Sequence, residues 1–173
     1  IDLVDVTTPN VSHQEIATAA LNAGKMVICE KPLAMDQDQA REMAQTAKKK
    51  KAFNGVWFNY RRCPAVALAR QMVEEGRLGR IYHIRATYLQ DWIADPEFPL
   101  VWRLRKEVAG SGAHGDLNAH IIDLARFISG TEFTEVCGHV QTFIKERPLE
   151  SGGAGQLAAE GGEDKGKVTV DDA

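Results

Sequence analysis

The sequence predicts an α/β fold: the later half of a doubly wound parallel sheet over residues 1–60, followed by an α+β domain over residues 61–173. In the first part, short apolar runs alternate with helical segments, which is typical of right-handed βαβ units. After residue 79, polar and apolar side chains alternate with a period of two, which indicates an open, mainly antiparallel sheet. This change of pattern predicts the boundary between the two domains.

The first βαβ unit begins with the apolar run at residues 1–6, which ends at the turn-forming cluster Thr-Thr-Pro-Asn at residues 7–10. A helix is predicted next, because Ser12 and Glu15 have the spacing of a capping box. Gly24 suits the left-handed position just past the end of that helix.

The second unit begins with an apolar strand at residues 26–29. Asp36 and Gln39 repeat the capping spacing, so a second helix is predicted to start there. That helix ends at four lysines, residues 48–51, where the helix dipole favours cations. Residues 52–58 then predict a third parallel strand.

The second domain begins with a helix predicted from Pro64 to Gly76, and the alternation at residues 80–89 predicts its first strand. Residues 146–166 are rich in Gly, Glu and Ala without an apolar period, which predicts a mobile loop. Two further strands are indicated by apolar side chains, one at residues 168–170 and one at Val136, Val140 and Ile144.

A helix predicted from Asp116 to Ile128 places polar groups beside an apolar face. Its apolar stripe consists of Leu117, Ile121, Leu124 and Ile128. The neighbouring stripe consists of Asp116, His120, Asp123 and Phe127. An Asp one turn before a His can hold the imidazole in one tautomer, as a general base requires. The alternative is a helix-dipole acid followed by a structural histidine, and the spacing alone does not separate the two.

Two glycine patterns match the dinucleotide-binding fingerprint without its expected context. GxGxxG occurs at residues 110–115, but polar residues 103–107 precede it in place of a buried strand. GxGxxA occurs at residues 153–158, and no full helix is predicted after it. We expect the first pattern to open a helix whose amides line a site, and the second to be part of the loop.

Lys31 stands between Glu30 and Pro32 at the carboxyl end of the predicted second strand, which is the edge of an open α/β sheet where ligands bind. The residue before a proline is held extended, and an X-Pro bond can be cis, so the lysine would point in a fixed direction. A lysine near a cofactor ribose can be partly desolvated and take part in proton transfer. The alternative is a surface lysine in a loop.

Composition and charge exclude several classes of function. The chain has 173 residues and a net charge of -3, so it lacks the basic field that binds nucleic acids or anionic membranes. Cys29, Cys63 and Cys137 lack CxxC spacing, which argues against a disulfide framework and against a zinc-thiolate site. Residues 1–6 lack the features of a signal peptide and read like the middle of a protein. A cytoplasmic location is therefore expected.

These motifs together resemble the Gfo/Idh/MocA oxidoreductase family, and the match runs over nearly all of the chain. The matching segments are Val-Thr-Thr-Pro-Asn at residues 6–10 with His13, Glu-Lys-Pro at 30–32, Asn-Tyr-Arg at 59–61, and the segment from Gly110 to Asp123. The resemblance implies the later half of a Rossmann-like sheet followed by an open sheet that is incomplete at the C-terminus. The family's glycine-rich loop, and the acid that reads the adenosine ribose, would precede Ile1.

The resemblance also implies a role for each site residue. The catalytic residues would be Lys31, which contacts the nicotinamide ribose and the reacting hydroxyl, His120, which accepts the proton, and Asp116, which binds substrate. The residues along the cofactor would be Thr8, Pro9, Asn10, His13, Glu30 and Lys31. The substrate side would comprise Tyr60, Arg61, Trp102, Arg103 and Asp116. The stretch from Gln90-Asp91-Trp92 to Trp102-Arg103 is similar to the substrate loops of sugar-active members, with aromatic packing as the alternative.

The implied activity is NAD- or NADP-dependent oxidation of a secondary hydroxyl on a sugar, inositol or related polyol. The implied partners are that small molecule and further copies of the chain, as a dimer or tetramer formed through the open sheet. His114 and Asn118 stand where the family commonly has an apolar residue and a glycine, which leaves the identity of the substrate open.

Two other classes of function stay open at this point. Without its phosphate-binding loop, the chain is alternatively a non-catalytic fragment or an assembly domain of such an enzyme. A metal-dependent enzyme is less favoured: possible nitrogen and oxygen ligands exist, but no further ligand pair accompanies them, and we expect no metal site. Those possible ligands are His114, Asp116, His120 and Asp123.

Overall fold

A computed structural model describes residues 1–153 and 158–173. Its first sheet has three parallel strands in chain order, β1 (Leu3–Val6), β2 (Met26–Cys29) and β3 (Asn54–Val56). Val6 pairs with Cys29, and Cys29 pairs with Val56, so the three strands end at one edge. The predicted parallel sheet is confirmed, and its carboxyl edge is where open α/β sheets bind ligands.

Two helices cover this sheet, α1 (His13–Asn22) and α2 (Gln37–Lys50), and they pack against each other while α1 also packs on β2. Small side chains on the two helices, such as Ala17 and Ala47, allow the helices to lie close to the strands. The buried core between the layers consists of Val6, Ala17, Leu21, Val27, Cys29, Met43 and Ala47. Burial of these side chains fixes the strand ends that carry the site.

The capping predictions have different outcomes for the two helices. The Gln39 amide donates to Asp36 Oδ1 at 2.8 Å, so the second cap is confirmed. The capping box at Ser12 is wrong, because a 3-10 turn (Asn10–Ser12) runs straight into α1 and gives Ser12 a helix-like backbone. The Ser12 hydroxyl lies instead 2.7 Å from Thr8 Oγ1. Gly24 has the predicted left-handed backbone, with φ of 71°.

Three helices follow the parallel sheet, α3 (Pro64–Glu74), α4 (Lys106–Ala109) and α5 (Ala119–Ser129), and α3 packs against α5. The predicted start of α5 at Asp116 is wrong, since one turn of π-helix (His114–Asn118) precedes it. A π turn admits one more residue than an α turn and is frequent at functional sites. The predicted apolar stripe of α5 is half-buried.

The predicted mobile loop at residues 146–166 is wrong for residues 146–153 and 159–166, while residues 154–157 lie outside the described residues. Strands β4 (Glu146–Gly153) and β5 (Ala159–Lys167) form an antiparallel hairpin there. Most of its described side chains are exposed, which explains the polar composition that suggested a loop. The Leu100 amide donates to the Pro148 carbonyl at 2.7 Å and anchors the hairpin. Arg147, which belongs to β4, is fully buried.

The strands predicted at residues 80–89, at residues 168–170 and around Val140 are not formed by the described part of the chain. Residues 80–89 belong to no described helix or strand and are exposed except for half-buried Tyr88, and no described strand pairs with them. Alternating polar and apolar side chains indicate a segment with one polar and one apolar face, but a strand also requires a hydrogen-bonded neighbour. The fold class itself, a parallel sheet followed by an antiparallel one, is confirmed.

A second buried core holds the hairpin and the end of the chain together. It consists of Leu100, Val101, Leu104, Val168 and Val170. The Thr169 amide donates to the Leu104 carbonyl at 3.2 Å, and this bond brings the last residues beside the segment that precedes α4. Across residues 1–153 and 158–173, no helix has the length and apolar character needed to cross a membrane.

Candidate active site

The loops that follow β1, β2 and β3 meet at the carboxyl edge of the parallel sheet and form one wall of a cleft. They carry Thr8, Lys31 and Tyr60, respectively. The segment that holds α4 and the π turn forms the facing wall. Asn10 joins the two walls, because its side-chain amide donates to the carbonyl of Ala109 at 2.8 Å.

Lys31 and Asp116 form an ion pair across this cleft. Lys31 Nζ lies 2.5 Å from Asp116 Oδ1 and donates to the Asp116 carbonyl at 2.9 Å. The lysine side chain is 12% exposed, and the Lys31-Pro32 bond is cis. Glu30 accepts the Lys31 amide at 3.0 Å, which fixes the loop on its other side. Lys31 and Asp116, two of the three residues that the family resemblance implies to be catalytic, thus lie in direct contact.

His120 lies beside this ion pair, at the end of an aromatic cluster. Its ring centroid is 4.5 Å from that of Tyr60, 6.2 Å from that of Tyr88 and 6.3 Å from that of Phe58. Burial of the imidazole, and then the positive charge of Lys31, lower its pKa below the ordinary 6.5. His120 is therefore held in its neutral form.

The nitrogen Nδ1 of His120 is buried and has no hydrogen-bond partner among the described residues. Of the two alternatives that the spacing left open, a bond from Asp116 to this imidazole is not formed, because the Asp116 carboxylate, in the π turn, pairs with Lys31. Asp116 acts on His120 through its charge, which opposes the lowering of the histidine pKa. Burial of Nδ1 leaves Nε2 as the ring nitrogen that could exchange a proton with a ligand.

Arg61 is held by Asp123 through a two-pronged ion pair. Arg61 Nε donates to Asp123 Oδ2 at 2.8 Å, and its second nitrogen donates to Oδ1. Asp123 is 4% exposed, and the guanidinium also lies 5.0 Å from the centre of the Phe127 ring. The hydrogen bond with Asp123 raises the pKa of Arg61 above its ordinary value. This geometry favours a structural role for Asp123, and the substrate role of Arg61 stays a prediction.

The residues predicted to lie along the cofactor differ in how far their side chains are buried. Thr8 and Pro9 are exposed, Glu30 is half-buried, and Asn10 and His13 are buried. His13 Nδ1 lies 3.0 Å from the Pro32 carbonyl oxygen, and its Nε2 lies 2.8 Å from that of Thr8. His13 thus ties the loop after β1 to the loop after β2.

Two adjoining cavities open along the cleft. The first has a volume of about 370 Å³ and is lined by, among others, Asn10, Pro32, Trp102, Ser111 and Gly112. The second has about 520 Å³ and is lined by, among others, Tyr60, Tyr88, Gln90 and His120. Both cavities are bordered by Arg103 and Asp116.

Arg103 and Trp102 stand together at the border between the two cavities. The Arg103 guanidinium lies 4.6 Å from the centre of the Trp102 ring. It also approaches Asp116 Oδ1 to 3.5 Å, so that carboxylate lies between two cations. A flat aromatic face beside charged donors suits a molecule with an apolar face and polar edges.

The glycine pattern at residues 110–115 binds a carboxylate of the same chain. The Gly112 amide donates to Asp171 Oδ1 at 2.9 Å, and the His114 amide donates to Asp171 Oδ2 at 2.6 Å. A side chain at Gly112 would overlap the Asp171 carbonyl oxygen. Gly112 therefore allows a close approach of two main-chain segments, and the amides of Gly112 and His114 hold Asp171. The other pattern includes Gly155, which lies outside the described residues.

Tyr88 and Asp171 belong to the site but were missed by sequence reasoning. Tyr88 was counted in the alternation of a predicted strand, and its reduced exposure within an exposed stretch appears in the structure alone. Asp171 is far along the chain from the glycines that it holds. The one signal for Asp171 in the sequence is its position directly after the apolar alternation of Val168 and Val170, both of which are buried.

Metal binding finds no support in the residues that the structure describes. Among them, no group of three or more His, Cys, Asp or Glu side chains is arranged to hold an ion. The four candidate ligands have other surroundings: Asp116 pairs with Lys31, Asp123 pairs with Arg61, and His114 Nδ1 lies 3.1 Å from the amide nitrogen of Asn118.

Curated relatives of this chain include sugar-active oxidoreductases. Levoglucosan dehydrogenase of Pseudarthrobacter phenanthrenivorans is 54% identical over 99% of this chain and 44% of its own length. The 1,5-anhydro-D-fructose reductase of Ensifer adhaerens is 38% identical over 74% of this chain and 38% of its own length. The chain thus spans less than half the length of these relatives.

Solved structures show the same arrangement of elements. A structure of levoglucosan dehydrogenase in complex with NADH and levoglucosan matches with a TM-score of 0.89 and 50% identity, over 99% of this chain and 42% of that one. A model of an oxidoreductase family with an NAD-binding Rossmann fold matches residues 1–58, and a model of the GFO/IDH/MocA C-terminal domain matches residues 66–172. The chain belongs to the GFO/IDH/MocA family of oxidoreductases.

Proposed function

We propose that the protein to which this chain belongs is an NAD-dependent oxidoreductase that oxidises a secondary hydroxyl of a sugar, inositol or related polyol. The observation that carries the proposal is the ion pair of Lys31 and Asp116 beside a neutral, buried His120. A cation next to a neutral base is the arrangement that removal of a hydroxyl proton requires. The relatedness to levoglucosan dehydrogenase supports the substrate class.

The first cavity fits the nicotinamide end of the cofactor. It lies at the carboxyl edge of the parallel sheet and would hold the ring with Asn10, Pro32, Trp102 and Ser111. When bound, the cofactor supplies the acceptor for the hydride that leaves the carbinol carbon. The solved relative with NADH supports NAD over NADP.

His120 serves as the base, and Lys31 assists it. The substrate proton passes to His120 Nε2, while the Lys31 ammonium stabilises the negative charge that develops on the substrate oxygen. Loss of a hydride and a proton leaves a ketone, a reduced cofactor and a protonated His120. Asp116 fixes the Lys31 ammonium at the border of the two cavities, because its carboxylate accepts from it at 2.5 Å.

The second cavity would bind the rest of the sugar. Tyr60, Gln90 and Arg103 supply hydrogen-bonding groups along its wall, and the nearby Trp102 and Trp92 supply flat apolar faces. A pyranose has one apolar face and several hydroxyls, so these two kinds of surface suit it.

A panel of substrates tests the proposal on the whole protein. Reduction of NAD and of NADP is measured with levoglucosan, glucose, myo-inositol and a primary alcohol as the control. We expect turnover of a cyclic sugar or polyol with NAD and none of the primary alcohol. Failure to reduce either cofactor with any cyclic polyol would overturn the proposal.

Isothermal titration separates catalysis from the alternative of a non-catalytic fragment. The 173-residue chain is titrated with NAD and with NADP. Tight binding would argue for a complete site within this chain, whereas absent binding would support a fragment that depends on further sequence.

We further propose a cytoplasmic protein that assembles as a homo-oligomer through residues 80–89, the segment that the sequence predicts as part of the open sheet. The support for assembly is the exposed face of residues 80–89, where Tyr82 and Leu89 are each 83% exposed. Exposed apolar side chains in a row are typical of an interface. Sedimentation of the whole protein tests this, and a monomer at high concentration would contradict it.

A further inference from the structure

Asp171 borders the first cavity and has no role in the mechanism above. We propose that Asp171 is a positioning residue, which caps the helical segment that carries Asp116 and so holds Asp116 where it meets the Lys31 ammonium. This inference rests on the proposed function and deepens it, because it concerns how the proposed catalytic pair is placed. Asp171 acts through the main chain, without touching the reacting atoms.

The carboxylate of Asp171 is bonded to the main chain at the start of that helical segment. Its Oδ1 accepts the Gly112 amide at 2.9 Å, and its Oδ2 accepts the His114 amide at 2.6 Å. The Ala113 amide donates to the main-chain carbonyl of Asp171 at 3.0 Å. The direction of all three bonds is fixed, because a main-chain amide only donates. Three successive amides therefore meet one residue.

Amides at the start of a helix lack partners within that helix. The π turn (His114–Asn118) begins here, and Ala113, the residue before it, has no side chain that accepts a hydrogen bond. Asp171 supplies the missing acceptors from a position 57 residues further along the chain than His114. Its negative charge also interacts favourably with the dipole of the helix. Asp171 thus caps this segment as Asp36 caps α2.

The segment that carries Asp171 is itself held in place. Val168 and Val170 are buried in the second core. The Thr169 amide donates to the Leu104 carbonyl at 3.2 Å. Asp171 is 9% exposed, so water competes little for its carboxylate oxygens. The carboxylate is therefore a fixed point to which the start of the helical segment is bonded.

The hold on residues 112–114 passes to Asp116 through the helical main chain. The Asp116 amide donates to the Gly112 carbonyl at 2.9 Å, so Gly112 is bonded to Asp171 on one side and to Asp116 on the other. The Lys31 ammonium contacts both the main-chain carbonyl and the carboxylate of Asp116. A shift of this turn would therefore move the ammonium away from the border of the two cavities.

Kinetics of the whole protein test whether Asp171 acts through the catalytic pair. Asp171→Asn keeps the size of the side chain and one acceptor oxygen, but sets an NH₂ group against one main-chain amide. With levoglucosan and NAD, we expect kcat per folded molecule to fall about 10-fold and KM for NAD to change less than about 2-fold. An unchanged kcat, or a loss confined to KM for NAD, would overturn the inference.

The matched control is Asp36→Ala, which removes the cap of α2 at an exposed position. We expect this variant to lose stability and to keep its kcat, because α2 carries no residue of the proposed catalytic pair. An equal loss of kcat in Asp36→Ala and Asp171→Asn would show that any weakened cap lowers activity, and would refute a specific role of Asp171.

Amine labelling follows the position of Lys31 without relying on activity. The Lys31 side chain is 12% exposed and pairs with Asp116, so it should react slowly with an acylating reagent. In the whole protein without cofactor, mass spectrometry should show Lys31 labelled at least about 3-fold faster in Asp171→Asn and at the original rate in Asp36→Ala. Exposed Lys48 is the internal reference.

An unchanged labelling rate of Lys31 in Asp171→Asn would refute the positioning role. Faster labelling of Lys31 in a protein that oxidises no sugar would support the positioning role and refute the proposed function.

Discussion

At the scale of single residues, the surroundings of His120 set its chemistry. The ring is 8% exposed, it packs against Tyr60, and Lys31 places a positive charge nearby. Burial, and then the charge of Lys31, disfavour the protonated form and lower the pKa of His120. The imidazole is thus ready to accept a proton at neutral pH.

The pH dependence of catalysis follows from this lowered pKa. A base works in its neutral form, so kcat/KM for oxidation should decrease at low pH with a midpoint below 6.5. The measurement is a pH profile of kcat/KM with levoglucosan and NAD in the whole protein. A decrease of kcat/KM toward low pH with its midpoint above 6.5 would contradict the described environment of His120.

Much of the site could be predicted from single residues and motifs. Lys31, Asp116 and His120 stand in motifs whose residue types and spacing indicated chemistry. Their pairing was not predictable, because the bond between Lys31 and Asp116 joins residues far apart in sequence. Tyr88 was missed for the same reason, since its contact with Tyr60 depends on how a distant segment is placed.

At the scale of elements, the glycine segment at residues 110–115 shows how a motif can serve another purpose. Gly112 allows the main chain at Asp171 to approach, and the Asp171 carboxylate then holds two amides of the segment. The segment also lines the first cavity. Its geometry is therefore fixed by packing before any ligand binds.

Gly112→Ala should destabilise the protein because the new methyl group overlaps the Asp171 carbonyl oxygen. We expect the free energy of unfolding in urea to fall by about 2–3 kcal/mol, as for other overpacked sites. Gly138→Ala is the control, since nothing lies within 4 Å of its added carbon, and it should change stability by less than about 0.5 kcal/mol. Equal effects of the two substitutions would refute the close approach.

Arg147 holds the loop at residues 93–98, which lies beside the cleft, through hydrogen bonds. Its guanidinium donates to the carbonyls of Asp95 at 2.7 Å, Phe98 at 3.2 Å and Ile93 at 2.6 Å. The side chain is fully buried, so it holds the loop with little help from solvent. Ile93 and Ala94 of that loop line the first cavity.

Arg147→Met should leave these carbonyls without their donor. We expect the free energy of unfolding to fall by about 3 kcal/mol, because a buried unsatisfied polar group costs roughly 1–3 kcal/mol. Arg41→Met is the control: Arg41 pairs with Asp38 on the surface, where such a pair contributes about 0–1 kcal/mol. A stability change no larger than that of the control would show that Arg147 does not hold the loop.

The elements were predictable where periodicity and caps agree. The three parallel strands and both helices form as their apolar periodicity predicts, and α2 also has its predicted cap, whereas the cap predicted at Ser12 is wrong. The hairpin of β4 and β5 was not predictable, because it is ordered by pairing and by buried Arg147 rather than by an apolar face. The strand predicted at residues 80–89 has the right alternation but lacks a partner in the described chain.

At the scale of the whole molecule, the cleft is built from two parts of the chain. We propose a domain boundary near residue 60, which leaves the parallel sheet on one side and the hairpin on the other. Asn10 and Lys31 of the first part hold Ala109 and Asp116 of the second. We therefore expect the activity of the whole protein to depend on both parts of the chain.

The most direct test compares variants of the two proposed catalytic groups in the whole protein. With levoglucosan and NAD, Lys31→Ala and His120→Ala should each lower kcat/KM by at least about 100-fold, as expected for loss of a group that moves a proton. The controls Lys48→Ala and His139→Ala, at exposed positions, should keep the original rate. Oxidation at the original rate in both Lys31→Ala and His120→Ala would contradict the account.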